Sequence, residues 1–220
     1  KVNEQTRQKE YYAKRIYIYY QDNLISETRY TWKTNHWENQ LKYTASYNSN
    51  HDITDVIQYE GAVNDWIYST NIHYEYDANF HKTNELKKIW LNAAWINQEQ
   101  YIHTYDSSSN LTKQLYQVWE NNQWINTGLV ISKFDTNHHE INAVGQHWDG
   151  TMWLNQYQLN WTYYSNGDLI YVAAETWDSL NWQNAFRFYL EYDVHRNLIV
   201  YTGQNWVGND WINDSKTNSS

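Results

Sequence analysis

At 220 residues, the chain is long enough for one large domain or two small ones. Its 14 Trp and 22 Tyr accompany only 4 Phe, a composition that favours aromatic-faced β-structure over a Leu-rich helical bundle. The absence of Cys excludes disulfides and thiolate metal sites, and a net charge of −9 from scattered carboxylates makes nucleic acid a poor partner.

The first predicted element is a strand over residues 8–18, ahead of the first complete copy of a repeat. It holds Gln8 and Glu10 at the positions where later copies hold Trp and Asn. A terminal copy whose outer edge meets water departs from the repeat in this way. We therefore interpret residues 8–18 as an N-terminal capping strand.

From residue 32 onward, two columns of Trp define a tandem repeat with a period of 29 residues. The first column comprises Trp32, Trp90, Trp119, Trp148, Trp177 and Trp206, with Gly61 in its one vacant place. The second column, five residues later, comprises Trp37, Trp66, Trp95, Trp124, Trp153, Trp182 and Trp211. A register held over the whole chain indicates seven copies of one structural unit.

Each copy is predicted to contain two strands. One strand runs from the second Trp to an aromatic residue ten positions later, as from Trp182 to Tyr192, and the other runs from a Leu or Ile to the next first-column Trp, as from Leu111 to Trp119. Alternation with period two indicates strands with one buried face. In the 182–192 strand, this alternation predicts one face carrying Trp182, Asn184, Phe186, Phe188, Leu190 and Tyr192.

Polar clusters mark the turns between these strands. They occur at 106–110 and 165–168 on one edge and at 120–123 and 149–152 on the other, where Asn, Asp and Gly tolerate positive φ. The chain has no Pro, which suits an uninterrupted ladder of backbone hydrogen bonds.

These elements predict an all-β fold, an antiparallel meander of about fourteen strands from seven hairpin repeats, in a single domain over residues 1–213. A sheet of this width would extend on the order of 65 Å, and sheets so wide curl or split. We expect curling into a spiral or a barrel-like sheet that buries the Trp and Tyr columns. Residues 214–220 are polar and are interpreted as a linker to a further C-terminal domain or a larger surface assembly.

The Tyr–Asp turns and the double-Trp link carry a family resemblance. Segments 105–111 and 192–198, together with the link from Trp119 to Asn126, resemble the YD-type repeats of secreted Bacteroidota proteins, which often precede a type IX secretion sorting domain. Rhs and teneurin shells have similar turns but more Gly and no double Trp. The likeness covers residues 8–213, whereas segments 76–82 and 134–140 depart from it and argue against a uniform ligand site in every copy.

The resemblance implies export and an extracellular or cell-surface setting in a bacterium, with an adhesive or scaffolding role and no catalytic residues. The leading functional prediction is therefore a non-enzymatic repeat module that acts as an adhesin, binding platform or scaffold for a surface protein or polysaccharide, without a cofactor. The alternative is a carbohydrate-binding module in which aromatic rings stack on sugar faces while Asn, Gln and Asp bond hydroxyl groups.

The Trp columns allow two interpretations. A core residue recurs because every copy must pack, but exposed rings could instead form ligand platforms. The candidate ligand-binding residues are Trp119, Trp124, Trp148, Trp153, Trp177 and Trp182. Asn and Gln columns share their face, and because buried amides are costly unless bonded, we expect ladders of side-chain amides across the strands.

Two clusters raise the question of a metal. His138 and His139 precede Glu140, but an irregular solvated turn explains this segment more simply. Calcium at 106–110 or 193–197 would lack the dense Asp spacing of a dedicated loop, and an Asx turn explains those residues. We predict no metal site, and no segment approaches the length of a membrane-spanning helix.

Overall fold

A computed structural model describes residues 13–33 and 35–218, and every regular element in them is a β-strand. The strands are β1 (Ala13–Tyr20), β2 (Asn23–Lys33), β3 (His36–Tyr47), β4 (Ile53–Ala62), β5 (Asp65–Tyr76), β6 (Lys82–Leu91), β7 (Ala94–Tyr105), β8 (Leu111–Glu120), β9 (Gln123–Phe134), β10 (Glu140–Trp148), β11 (Trp153–Tyr163), β12 (Leu169–Trp177), β13 (Trp182–Tyr192), β14 (Leu198–Val207) and β15 (Asp210–Asn218).

The strands form one sheet in which each strand pairs with its neighbours in sequence, from β1 to β15. The predicted all-β antiparallel meander is therefore confirmed. The described part of the predicted capping strand is β1, which pairs with β2. Residues 8–12 of that strand lie outside the described residues.

The described residues form fifteen strands, one more than the predicted number of about fourteen. The additional pairing comes from residues that follow the last Trp. Residues 214–218 belong to β15 and pair with β14, as Lys216 does with Thr202. The linker interpretation of 214–220 is therefore wrong for 214–218. The polar composition misled the prediction, since a strand needs a backbone partner more than it needs apolar side chains at a sheet edge.

The chain divides into two compact units by its internal contacts. The first unit comprises the described residues up to Glu75 together with Asn84–Glu99, and the second comprises Tyr76–Thr83 together with the described residues from Gln100 onward. The six candidate Trp residues all belong to the second unit.

A β-bulge changes which face each side chain of β13 occupies. Asn184 pairs with Glu175, whereas Phe186 pairs with Ala174. Because Ala185 is inserted between these two pairs, side chains before and after it lie on opposite faces. The prediction of one face for all six residues is therefore wrong: Trp182 and Asn184 lie on one face, and the other carries Phe186, Phe188, Leu190 and Tyr192.

The same bulge recurs at Thr127, Gln156 and Asp214 in the second unit. It separates the Trp end of each hairpin from the rest of the strand. We call the face with the tryptophan pairs the Trp face, defined in β8 and β9 by Gln117, Trp119, Trp124 and Asn126.

Few apolar side chains are buried in the described residues. They are Leu129, Ala143, Val172 and Ala174, all in the second unit. The Trp columns are half-buried, apart from Trp37, which is 40% exposed. The expectation that these columns are hidden from solvent is met only in part, because the rings are partly shielded and none of them is fully buried.

Candidate ligand-binding edge

The six candidate Trp residues form three cross-strand pairs in the second unit, one at the tip of each hairpin. Ring centroids are 5.0 Å apart in Trp119–Trp124, 5.2 Å apart in Trp148–Trp153 and 4.9 Å apart in Trp177–Trp182. The rings of each pair are inclined by 63–70°, the edge-to-face geometry that the ring quadrupole favours. The structure therefore brings the candidates together by pairs along one edge, which we call the Trp edge.

A short turn produces each pair. Between Trp119 and Trp124, Glu120 pairs with Gln123, which leaves Asn121 and Asn122 as the two turn residues with φ of 50° and 62°. Two consecutive positive φ values are typical of the type I′ hairpin turn, which Asn tolerates well. The five-residue spacing of the columns therefore places the two indoles opposite each other.

A fourth pair, Trp206–Trp211, was left out of the candidate set although it lies in the same columns. Its centroids are 5.0 Å apart, and the Arg187 guanidinium lies 4.0 Å from the Trp211 ring centroid, as a cation–π contact. The column spacing was sufficient to include this pair.

Side-chain amides bond one another beside the Trp pairs on the Trp face. In three hairpins, a Gln donates to the Asn that follows the second Trp: Gln117 to Asn126 at 2.8 Å, Gln146 to Asn155 at 2.8 Å, and Gln204 to Asn213 at 2.7 Å. Gln100 extends one of these chains by donating to Gln117 at 2.6 Å. The expected amide ladders are present, and they satisfy groups that would otherwise be costly to shield from water.

Adjacent hairpins separate at the Trp edge and leave a notch between β11 and β12. Their residue pairing begins only at Tyr157 and Thr176, so residues 153–156 lie beyond the ladder with β12. The cavity there has a volume of about 300 Å³ and is lined by His147, Leu154, Asn155, Gln156, Trp177 and Ser179. Nδ1 of His147 is shielded from solvent and has no hydrogen-bond partner in the described structure.

An equivalent notch in the first unit has Gly61 at the position of Trp177, although Trp37 also lines it. Pairing of β3 with β4 begins at Leu41 and Glu60, and a cavity of about 360 Å³ lies beside Asn39 and Gly61. Gly61 occupies the one place in the first Trp column that has no Trp. The backbone of Asn39 lies so close there that a Cβ on Gly61 would lie 1.9 Å from the Asn39 carbonyl oxygen. No other residue fits this backbone without a shift.

Exposed aliphatic side chains mark the hairpin tips of the Trp edge. In the second unit these are Met152, Leu180, Val207 and Ile212. In the first unit they are Val63, Ile67, Leu91 and Ile96. Apolar side chains repeated at one edge are available for contact with a partner.

The opposite edge, which we call the Tyr–Asp edge, uses its polar groups within its own turns. Oδ1 of Asp106 accepts the backbone N–H groups of Ser108 at 2.9 Å and Asn110 at 3.0 Å, while Oδ2 accepts the Asn110 side-chain amide at 2.9 Å. Asp193 makes the same set of bonds in its own turn. Hydrogen bonds from Asn110 and Asn197 lower the pKa of Asp106 and Asp193 respectively, so the oxygens considered for calcium hold the turns together.

Successive turns on this edge are also linked to each other. The Tyr105 hydroxyl donates to the Lys82 carbonyl oxygen at 3.0 Å, and the Tyr163 hydroxyl donates to the Glu140 carbonyl oxygen at 2.9 Å. Burial raises the pKa of both phenols. Hydroxyl groups therefore link successive turns in several copies, although not in the copy that has Phe134 in the place of Tyr.

The two adjacent histidines have separate partners. His138 Nδ1 lies 3.0 Å from Asn110 Oδ1, while His139 Nδ1 lies 3.1 Å from Asp135 Oδ2 and its ring stacks on Tyr163 at 4.6 Å. Within residues 13–33 and 35–218, no cluster of three or more His, Cys, Asp or Glu is arranged to hold a metal ion. The same residues contain no helix long and apolar enough to cross a membrane.

Fold and edge together define a class, the single-sheet antiparallel β-hairpin repeat proteins. No protein-family model matches the chain, and no curated protein matches it either. A Bacteroides fragilis protein of unknown function is 14% identical with a TM-score of 0.45, over 54% of this chain and 90% of that chain.

Two further solved structures are more distant. The TcdB2–TccC3 structure is 11% identical with a TM-score of 0.41, over 89% of this chain and 12% of that one. A porin-like protein from Bacteroides uniformis is 8% identical with a TM-score of 0.34, over 93% of both chains. These likenesses are too distant to assign a family or an activity.

Proposed function

We propose that this chain is a non-enzymatic repeat module of a secreted or cell-surface bacterial protein and that it serves as a binding platform through its Trp edge. The observation that carries the proposal is the contrast between the two edges. The Trp edge presents paired indoles, amide pairs and a notch, whereas at the Tyr–Asp edge the Tyr hydroxyls and turn carboxylates bond to neighbouring turns and to their own turns. The extracellular setting rests on the resemblance to YD-type repeats alone.

The distribution of carboxylates supports binding over catalysis. Oδ1 of Asp149 accepts the backbone N–H groups of Thr151 and Met152, and Oδ1 of Asp178 accepts those of Leu180 and Asn181. These bonds lower the pKa of both carboxyls, so each side chain remains a turn acceptor at neutral pH. A general acid would need the opposite shift.

A carbohydrate ligand is the second candidate, and the pairing of indoles with amides favours it. Aromatic faces stack on the apolar faces of sugar rings, while amide groups both donate to and accept from hydroxyls. Trp148 and Trp153 lie on the same face as the Gln146–Asn155 amide pair. The surface thus combines the two chemistries that a sugar ring presents.

Binding of the labelled protein to a panel of insoluble polysaccharides and extracellular matrix proteins tests the proposal. The decisive variant is Leu180→Ser with Met152→Ser on the Trp edge, matched by Val194→Ser on the Tyr–Asp edge. Leu180 is 79% exposed and Val194 is 93% exposed, so neither change should disturb folding.

We expect the Trp-edge variant to bind several-fold more weakly and the Val194→Ser variant to bind as the native chain does. Equal losses in both variants, or no loss in either, would contradict the proposal. Release of soluble products from a polysaccharide by the native chain would also contradict it, because a platform leaves its ligand unchanged.

A further inference from the structure

The notch between β11 and β12 has the composition of a sugar subsite. Trp177 supplies an aromatic wall, and Asn155 and Gln156 supply amide donors and acceptors at the same cavity. Its volume of about 300 Å³ lies at the lower end of the range for ligand pockets, which suits one or two sugar rings rather than a large cofactor.

His147 gives a second, independent indication of a ligand. It lines the same cavity, and its Nδ1 has no hydrogen-bond partner in the described structure. A shielded polar atom without a partner costs stability. A hydroxyl group placed in the notch, with a small rotation of the imidazole, would provide the missing bond, because a hydroxyl can donate or accept.

Charge restricts the kind of sugar. Asp149 and Asp178 lie at the two hairpin tips that flank the notch, and the chain as a whole carries a net charge of −9. An anionic glycan would be repelled by these carboxylates. A neutral glycan would meet no such barrier.

The repeat restricts the length of the ligand unit. Trp148 and Trp177 end strands that are two positions apart in the sheet, a separation of roughly 9–10 Å at the usual strand spacing. One disaccharide of an extended β-1,4-linked glycan has a comparable length. Such a chain, crossing the strands along the Trp edge, would meet equivalent surfaces at the same interval as its own repeat.

We infer that the notch lined by His147, Asn155, Gln156 and Trp177 is a subsite for a neutral β-1,4-linked glycan that runs across the hairpins, one disaccharide to each hairpin. The inference rests on the proposed binding function of the Trp edge and names its ligand. The notch in the first unit has Gly61 in the place of Trp177 and keeps only Trp37, from the other column, in its lining, so it should contribute less.

Calorimetric titration with cellohexaose and chitohexaose, with polygalacturonate as the anionic comparison, tests the inference. Gln156 is exposed and belongs to the bulge, so Gln156→Ala should fold normally and weaken binding about fivefold, as expected for one lost hydrogen bond. Trp177→Ala should weaken it more than tenfold, with circular dichroism to confirm folding. Gln40→Ala, at the same repeat position beside Gly61, is the matched control and should leave affinity within about twofold of native.

The possible outcomes distinguish the glycan subsite in the notch from the more general binding platform of the Trp edge. Binding of a neutral hexasaccharide that is lost in Gln156→Ala and retained in Gln40→Ala supports the subsite. Equal affinity in all variants, tighter binding of polygalacturonate, or no binding of either hexasaccharide overturns it. If the chain still binds a matrix protein or another polysaccharide through Leu180 and Met152, the platform survives while the subsite fails.

Discussion

The two edges of the second unit are built from the same repeat and differ in how their aromatic side chains are used. At the Tyr–Asp edge, a carboxylate such as Asp106 accepts three bonds from its own turn, and Tyr105 fastens this copy to the preceding turn. At the Trp edge, Leu180 projects into solvent and the notch beside Trp177 remains open. The difference teaches that recurrence alone does not distinguish structure from function, because both edges recur with the same period.

At Gly61 the neighbouring backbone leaves no room for a side chain. Gly61→Ala should therefore have the largest effect on stability. A Cβ there would lie 1.9 Å from the Asn39 carbonyl oxygen, so two strands must shift. We expect a loss of more than about 3 kcal/mol in the free energy of unfolding, measured by urea titration.

The matched control is Gly128→Ala, where the new Cβ would lie 3.7 Å from the Tyr116 Cβ, an ordinary contact. This variant should change stability by less than about 1 kcal/mol. Similar losses in the two variants would mean that glycine is required for a reason other than the close approach.

Trp124→Ala should have the next largest effect, because its ring is half-buried rather than enclosed. Removing a buried large aromatic costs about 3–5 kcal/mol, so the partial burial of Trp124 predicts a somewhat smaller loss of about 2–3 kcal/mol. Trp37→Ala, with a 40% exposed ring, should cost less. A cost for Trp124→Ala above about 4 kcal/mol would indicate a true core and would remove the difference between the edges.

The sequence was sufficient to predict the strands and the short turns between the two Trp columns, but not the environment of the Trp pairs. The interval between Trp119 and Trp124 predicts that they meet across a hairpin, because the turn between them is short. The bulge at Ala185 was missed because the extra residue exists only in relation to β12. Half-burial was missed because a repeat does not reveal whether a second layer covers it, and the notch was missed because it lies between copies rather than within one.

At the Tyr–Asp edge, Tyr105→Phe should cost about 1 kcal/mol, the typical value of one hydrogen bond. The phenol donates to the Lys82 carbonyl oxygen at 3.0 Å, which links successive turns. Urea unfolding measures the change, with Tyr19→Phe as the control at a 62% exposed ring. If Tyr105→Phe and Tyr19→Phe both leave stability unchanged, the Tyr105 hydroxyl does not help to hold successive turns together.

The smallest effect on stability is expected when one turn carboxylate, that of Asp106, is replaced. This effect should depend on pH. Bonds from Asn110 hold the pKa of Asp106 below its usual value of 3.8, so the ionised form stabilises the folded state. This contribution is fully present above pH 3.8 and is lost as the pH falls through the lower folded pKa. Asp106→Asn keeps the Oδ1 acceptor but does not ionise, as in the first copy, where Asn48 Oδ1 accepts the N–H groups of Asn50 and Asp52.

The Tm of Asp106→Asn should therefore lie slightly below that of the native chain at pH 7, and the gap should close as acid protonates Asp106. Differential scanning calorimetry between pH 7 and pH 2 measures this gap, and Ser107→Ala in the same turn should show a gap that does not vary with pH. A gap for Asp106→Asn that stays constant in acid would mean that the carboxylate charge does not hold the turn. The turns of the Tyr–Asp edge would then be held by backbone geometry rather than by carboxylate charge. The tyrosine hydrogen bonds would remain as the feature that distinguishes this edge from the Trp edge.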